Sequence, residues 1–272
     1  MHWKHHLIGK WDWTRPFKSL AFIYITLCLV ACGFSNKFIF HPPPAQYTAK
    51  APPLQMLTSK EGRQVAAFWY PPQEPDSPIL LWSHGNAEDM GSLAPLYTEL
   101  RARGFAILAY DYPGYGLSEG SPTERGCYDA AEAAFTFLTT HEKIPADRII
   151  LFGQSVGSGP ACWLAERHDT RGLVLVSPFR SAYLTATRIP LFPGDKFKNI
   201  KRIDHIDEPL IVIHGEDDRT IRFSDGQAIY GRHAGPKRFI PIANAHHNNI
   251  WNRGLDTIAA AMKDLPSKAD AP

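Results

Sequence analysis

From Gln64 onward the chain alternates two kinds of apolar pattern. Short, largely uninterrupted runs read as β-strands: Val65 to Tyr70, Ile79 to Trp82, Phe105 to Tyr110, Arg148 to Phe152, Leu173 to Val176, Leu210 to Ile213 and Arg238 to Ile242. Between them lie helical stretches near Ser92 to Arg103, Thr123 to Thr140, Val156 to Arg167, Phe223 to Arg232 and Ile250 to Leu265. In the second of these, Phe135 and Leu138 share one face of an Ala-rich segment. Apolar strands alternating with amphipathic helices predict an α/β fold, with a mostly parallel central sheet covered on both faces. No internal repeat is visible, and one body is expected over 61–272.

The N-terminal segment follows a different pattern. Lys4, Lys10, Arg15 and Lys18 stand against one acid, Asp12, with His2, His5 and His6 nearby. An uncharged apolar run follows from Ser19 to Ala31, short of the ~20 residues a membrane span needs. Basic then apolar is the order of a secretory signal. The run closes on Leu29-Val30-Ala31-Cys32, which resembles the bacterial lipobox. That resemblance implies removal of 1–31 as signal peptide, a lipid on Cys32 and a lipoprotein outside the cytoplasm. Gly33 is not the Asp that would point to inner-membrane retention in a Gram-negative cell. The alternative is an uncleaved signal anchor over about Phe17 to Phe34; both readings put the body beside a membrane, outside the cytoplasm. Pro42-Pro43-Pro44 and Pro52-Pro53 then predict a stiff spacer within 32–60, because proline fixes φ near an extended geometry.

Composition narrows the function classes. The 272 residues are 44% hydrophobic and 21% charged, the range of ordinary globular proteins. A net charge of +2 without a basic stripe removes the electrostatic footprint of a nucleic-acid binder. With Cys28 inside the signal, Cys127 and Cys162 leave one conceivable disulfide pair, and buried free thiols are the better reading.

The candidate chemistry sits at strand ends. Gly153-Gln154-Ser155-Val156-Gly157 follows a buried strand and opens a helix. Such a corner projects a serine hydroxyl above the sheet, and its glycines avoid collisions with neighbouring backbone. The motif has neither G-x-G-x-x-G spacing nor a Walker lysine, so nucleotide binding is not expected. A nucleophilic serine needs a base, and the base an orienting carboxylate. Asp218, in His214-Gly215-Glu216-Asp217-Asp218 after the Leu210 strand, is the expected acid; Asp217 and Glu216 compete by sequence alone. His246 or His247 is the expected base, and spacing does not choose between them. In Ser83-His84-Gly85-Asn86-Ala87, the Asn86 N–H can pair with the Val156 N–H as an oxyanion hole. His84 is expected to brace that turn.

Together these segments, with Asp111-Tyr112-Pro113-Gly114-Tyr115-Gly116-Leu117-Ser118 and His247-Asn248, resemble the α/β-hydrolase superfamily from about Lys37 to Leu265. More narrowly, they and Lys37-Phe38-Ile39-Phe40-His41-Pro42-Pro43 resemble the membrane-anchored α/β-hydrolase-domain depalmitoylases and their bacterial relatives. In that group the acid is third after the strand-end glycine and the histidine precedes Asn, which selects Asp218 and His247. Asn249 departs from the group's usual Asp, and Asp111 is structural by the same resemblance. A short lid is expected between Ser177 and Pro209, with Phe179, Tyr183, Leu184, Ile189, Leu191 and Phe192; it is too small for a cap domain. Its apolar residues suit either an acyl chain or sealing of the core.

The expected function is a serine hydrolase acting on carboxylic esters or thioesters. A peptidase on the same fold, or a silent binding protein that keeps it, is the alternative. Neither metal nor organic cofactor is implied, and a monomer is expected. Serine rather than Asp at the bend argues against dehalogenase or epoxide-hydrolase chemistry.

Overall fold

The computed structural model describes residues 13–189 and 192–265. His2, Lys4, His5, His6, Lys10 and Asp12 of the basic N-terminal stretch lie outside the described residues, as does Leu191 of the lid. In chain order the elements are α1 Arg15–Ile39, β1 Leu54–Thr58, β2 Gln64–Tyr70, β3 Ile79–Ser83, α2 Ala94–Ala102 and β4 Ala106–Tyr110. They continue with α3 Glu124–Thr136, β5 Ile149–Gln154, α4 Ser158–Ala165, β6 Gly172–Val176 and α5 Ala182–Thr187. The last are α6 Asn199–Arg202, β7 Leu210–Gly215, α7 Phe223–Arg232, β8 Lys237–Ile242 and α8 Ile250–Lys263. Local chemistry sets several helix starts. Thr123 caps α3 by accepting the Gly126 N–H at 2.9 Å, and Pro95 opens α2, where its missing N–H costs nothing.

The eight strands form one sheet in the order β1-β2-β4-β3-β5-β6-β7-β8. The pairs β1/β2 and β2/β4 are antiparallel and all others parallel. Alternate strand residues feed two separate cores, as the period of two demands. Leu81, Leu108, Leu151, Leu175 and Val212 face the layer of α3, α4 and α7. Leu80, Ile107, Ile150, Val174 and Ile211 face α2 and α8. Each such side chain, fully buried, contributes about 1.5–3 kcal/mol. β1 escaped the sequence pattern because it is an edge strand with only Leu57 buried.

The N-terminal segment has two structural features of its own. α1 continues without a break through Cys32, because Gly33 alone does not stop a helix whose neighbours are good formers. Its 25 residues reach roughly 37 Å at 1.5 Å each, enough to cross a bilayer core. The proline stretch is not a free spacer but a strap on the body. Phe40 is buried against Phe197, the Gln46 N–H donates to Asp89 at 2.7 Å, and Tyr47 donates its O–H to Asp111. The prolines hold this segment extended while the aromatic side chains pin it down.

Candidate active site

Four loops at the C-terminal ends of β3, β5, β7 and β8 meet at one spot, the place where open α/β sheets hold their ligands. The bend after β5 is the tightest. Ser155 has φ +51°, a left-handed conformation that costs a non-glycine residue about 1–3 kcal/mol. It persists because the surroundings leave no alternative. A Cβ on Gly157 would lie 2.1 Å from the Ser83 carbonyl oxygen, and one on Gly153 would lie 2.5 Å from that of Gly157. Below the bend, the Ser158 hydroxyl donates to the Ser155 carbonyl at 2.7 Å and accepts from the Asn199 amide at 2.9 Å. Asn199 also donates to the Phe179 carbonyl at 3.1 Å, which fastens lid to bend.

The side chains then line up. Asp218 accepts the backbone N–H groups of Thr220 and Ile221 on one oxygen, both at 2.9 Å. Its other oxygen lies 2.7 Å from His247 Nδ1. With the proton on Nδ1, Nε2 is left as an acceptor, and it lies 3.0 Å from the Ser155 hydroxyl oxygen. Burial alone would raise the Asp218 carboxyl. The contacts from His214 and His247, with the Ile221 N–H, outweigh it and hold the group well below the usual carboxylate range. Asp218 is therefore ionised when His247 is beside it.

Of the competing residues, Glu216 and Asp217 are exposed. His246 is exposed too, with Nδ1 3.1 Å from the Asp217 carbonyl, and its N–H donates to Asn249 Oδ1 at 2.6 Å. The unusual Asn249 thus closes the turn that presents His247. His84 is fully buried, with Nδ1 2.7 Å from the Gly85 carbonyl and Nε2 3.2 Å from Asp111. Burial lowers its pKa, but Asp111, Glu88 and the Gly85 carbonyl together outweigh burial and the net direction is upward. It braces the turn, and Asp111 holds it.

Ser155, Val156, Asn86 and His247 line a cavity of about 1800 Å³. Its other walls come from Leu27, Val30 and Ala31 of α1, from Tyr183 and Ala186 of α5, and from Trp251. Phe179 both lines it and belongs to the core. Cys32 follows Ala31 in α1 but is not among the lining residues; its thiol lies 3.7 Å from the Pro193 carbonyl oxygen. Cys127 and Cys162 are buried free thiols, and burial pushes Cys162 up to about 12. The sequence reading missed Asn199, and also Gln154, which accepts the Trp251 indole N–H at 2.7 Å. Only polarity at a buried elbow position signalled Gln154.

A mostly parallel sheet with helices on both faces and a serine on a strained strand-to-helix bend is the frame of an α/β hydrolase. A family model described as serine aminopeptidase, S33, matches residues 74–192. The chain is 35% identical over 203 residues to the human alpha/beta hydrolase domain-containing protein 17B, covering 72% of this chain and 69% of that one. It is 32% identical over 262 residues to the Caenorhabditis elegans alpha/beta hydrolase domain-containing protein aho-3, covering 82% and 76%. Among solved structures, a Pyrococcus furiosus esterase superposes with a TM-score of 0.66 at 19% identity, over 83% of this chain and 96% of that one. A Coxiella burnetii serine hydrolase homologue gives 0.61 at 17%, over 81% and 100%. The chain belongs to the α/β-hydrolase family and is a hydrolase.

Proposed function

We propose that the protein is a serine hydrolase that cleaves carboxylic esters or thioesters of acyl groups at a membrane surface. The observation that carries this reading is the continuous line from Ser155 through His247 to Asp218, at 3.0 and 2.7 Å. Ser155 attacks the acyl carbon as its proton passes to His247 Nε2. The imidazolium formed is stabilised by the ionised Asp218. The oxyanion develops toward the Asn86 and Val156 backbone N–H groups, and such donors are worth about 2.7–4 kcal/mol each. Collapse of the tetrahedral adduct expels the alcohol or thiol, which takes the proton from His247; water then repeats the cycle on the acyl-enzyme. No step draws on a metal or organic cofactor.

The acyl preference follows from the walls. Leu27, Val30 and Ala31 extend the apolar part of the lining onto α1, where an acyl chain would bury methylenes. α1 has a mean hydropathy of 1.9 over its most apolar stretch and supports membrane attachment. The test is direct: wild type should cleave a short p-nitrophenyl ester and label with a fluorophosphonate, and Ser155→Ala should lose nearly all of both. An inert wild type would leave a binding protein. A second reading is favoured by the family model's aminopeptidase description. Faster turnover of an aminoacyl p-nitroanilide than of any acyl ester or thioester would establish it.

A further inference from the structure

The Asn86 side chain cannot serve the substrate, because all of its hydrogen-bonding capacity is committed elsewhere. Nδ2 donates to the Ile39 carbonyl, the last residue of α1, at 2.7 Å and lies 3.0 Å from His41 Nδ1. Oδ1 accepts the His41 N–H at 3.0 Å and the Tyr115 O–H at 2.7 Å. Two donors and two lone pairs are thereby matched. The reverse orientation of the amide would set its carbonyl against that of Ile39, so the network itself fixes which atom is which.

Buried residues anchor these partners. Phe40, between Ile39 and His41, is buried against the Phe197 ring at 5.9 Å. Tyr115 is fully buried and packs on the Tyr112 ring, whose hydroxyl donates to the His84 carbonyl at 2.6 Å. Beside Asn86, the Gly85 N–H is taken by Glu88 at 2.6 Å. The loop is therefore clamped on both sides of the peptide that carries the Asn86 N–H.

We propose that the C-terminal end of α1, through Ile39 and His41 and together with Tyr115, is a positioning element for the oxyanion loop. Membrane helix and reaction centre are then one mechanical unit: a shift of the helix end moves the Asn86 peptide relative to the Ser155 acyl carbon. The inference rests on the reading of the Asn86 N–H as an oxyanion donor. Because that donor is a main-chain group, Asn86→Ala keeps it while removing the tie, so side-chain positioning separates cleanly from the donor itself.

The experiment is steady-state kinetics of the full chain in detergent on a short p-nitrophenyl ester. Asn86→Ala is expected to lower kcat about tenfold or more, given the ~100-fold losses that ~1 Å misplacements cause, while KM stays within about threefold. Tyr115→Phe is expected to lower kcat in the wild-type background and to add little in the Asn86→Ala background, since both remove one connection. Thermal unfolding reports that the variants are folded. Unchanged kcat in Asn86→Ala, a loss confined to KM, or a full additional effect of Tyr115→Phe in the double variant would each overturn the proposal. If Asn86→Ala does not fold, Tyr115→Phe and His41→Ala decide by the same kcat criterion. A wild type inert to ester and fluorophosphonate alike would instead remove the underlying hydrolase reading, and the control detects that before any variant is compared.

Discussion

Ser155 is held in a backbone conformation that its own side chain disfavours, and its neighbours bear the cost. Gly157 and Gly153 are the residues that let Ser83 and α4 close in on the bend. Side-chain roles divide just as sharply at the two adjacent histidines. His247 touches Ser155 and Asp218, whereas His246 bonds only to turn atoms, so their variants should differ. His247→Ala is expected to abolish fluorophosphonate labelling and His246→Ala to keep most of it; the opposite outcome would move the base by one residue. Asp218 adds a stability argument. Its folded pKa lies below the unfolded value near 3.9, so the ionised form stabilises the fold above that value, and the contribution fades as pH falls through the lower folded value. Asp218→Asn should therefore unfold at a lower temperature than wild type at neutral pH. The gap should narrow in acid, and a gap that widens below pH ~4 would contradict this account.

The elements that position these residues were legible to the degree that each obeys a simple period. β3, β5, β6 and β7 are buried on both faces and read as continuous apolar runs, and α7 matched its expected span residue for residue. The motif after β5 was legible because its glycines serve steric contacts a side chain would break. What the sequence hid are contacts between distant segments: the edge strand β1, the strap at Phe40 to Tyr47, and the Asn199 link from lid to bend. None of them has a period, and each depends on what lies across the sheet. The choice between Asp217 and Asp218, or His246 and His247, is of the same kind. It came from resemblance; His247 Nδ1 lies 2.7 Å from Asp218 and His246 Nδ1 3.1 Å from the Asp217 carbonyl. α1 contains the span expected of an uncleaved anchor, and its contacts bear on the lipobox. The Tyr183 hydroxyl donates to the Ala31 carbonyl at 3.0 Å and the Cys32 thiol lies against Pro193, so both sides of the cleavage point touch the body. On these contacts we propose that the anchor stays uncleaved. Cys32→Ala should leave membrane association intact, and the mass of the purified protein should include residues before Cys32; a lipid-bearing chain that starts at Cys32 would refute it.

For the molecule as a whole, the proposed acyl specificity has to come from the cavity walls, since no cap domain lies among the described residues. The site cavity is large for a small-molecule pocket, roughly twice the usual upper range, and α1 and α5 form part of its wall. A long chain would reach that wall, whereas a two-carbon acyl group would stop near Ser155. Ala186 on α5 is exposed and lines the cavity, so a larger side chain there can narrow the path without disturbing the core. Ala186→Trp should lower kcat/KM for long-chain acyl thioesters by about tenfold or more while leaving short p-nitrophenyl esters near wild type. Each methylene denied a buried position forfeits about 0.8 kcal/mol, so two already exceed a factor of ten. Chain-length series on wild type and variant would measure it. Parallel losses at every length would mean that α5 acts on the reaction centre itself, and no change at any length would place the acyl group along another wall.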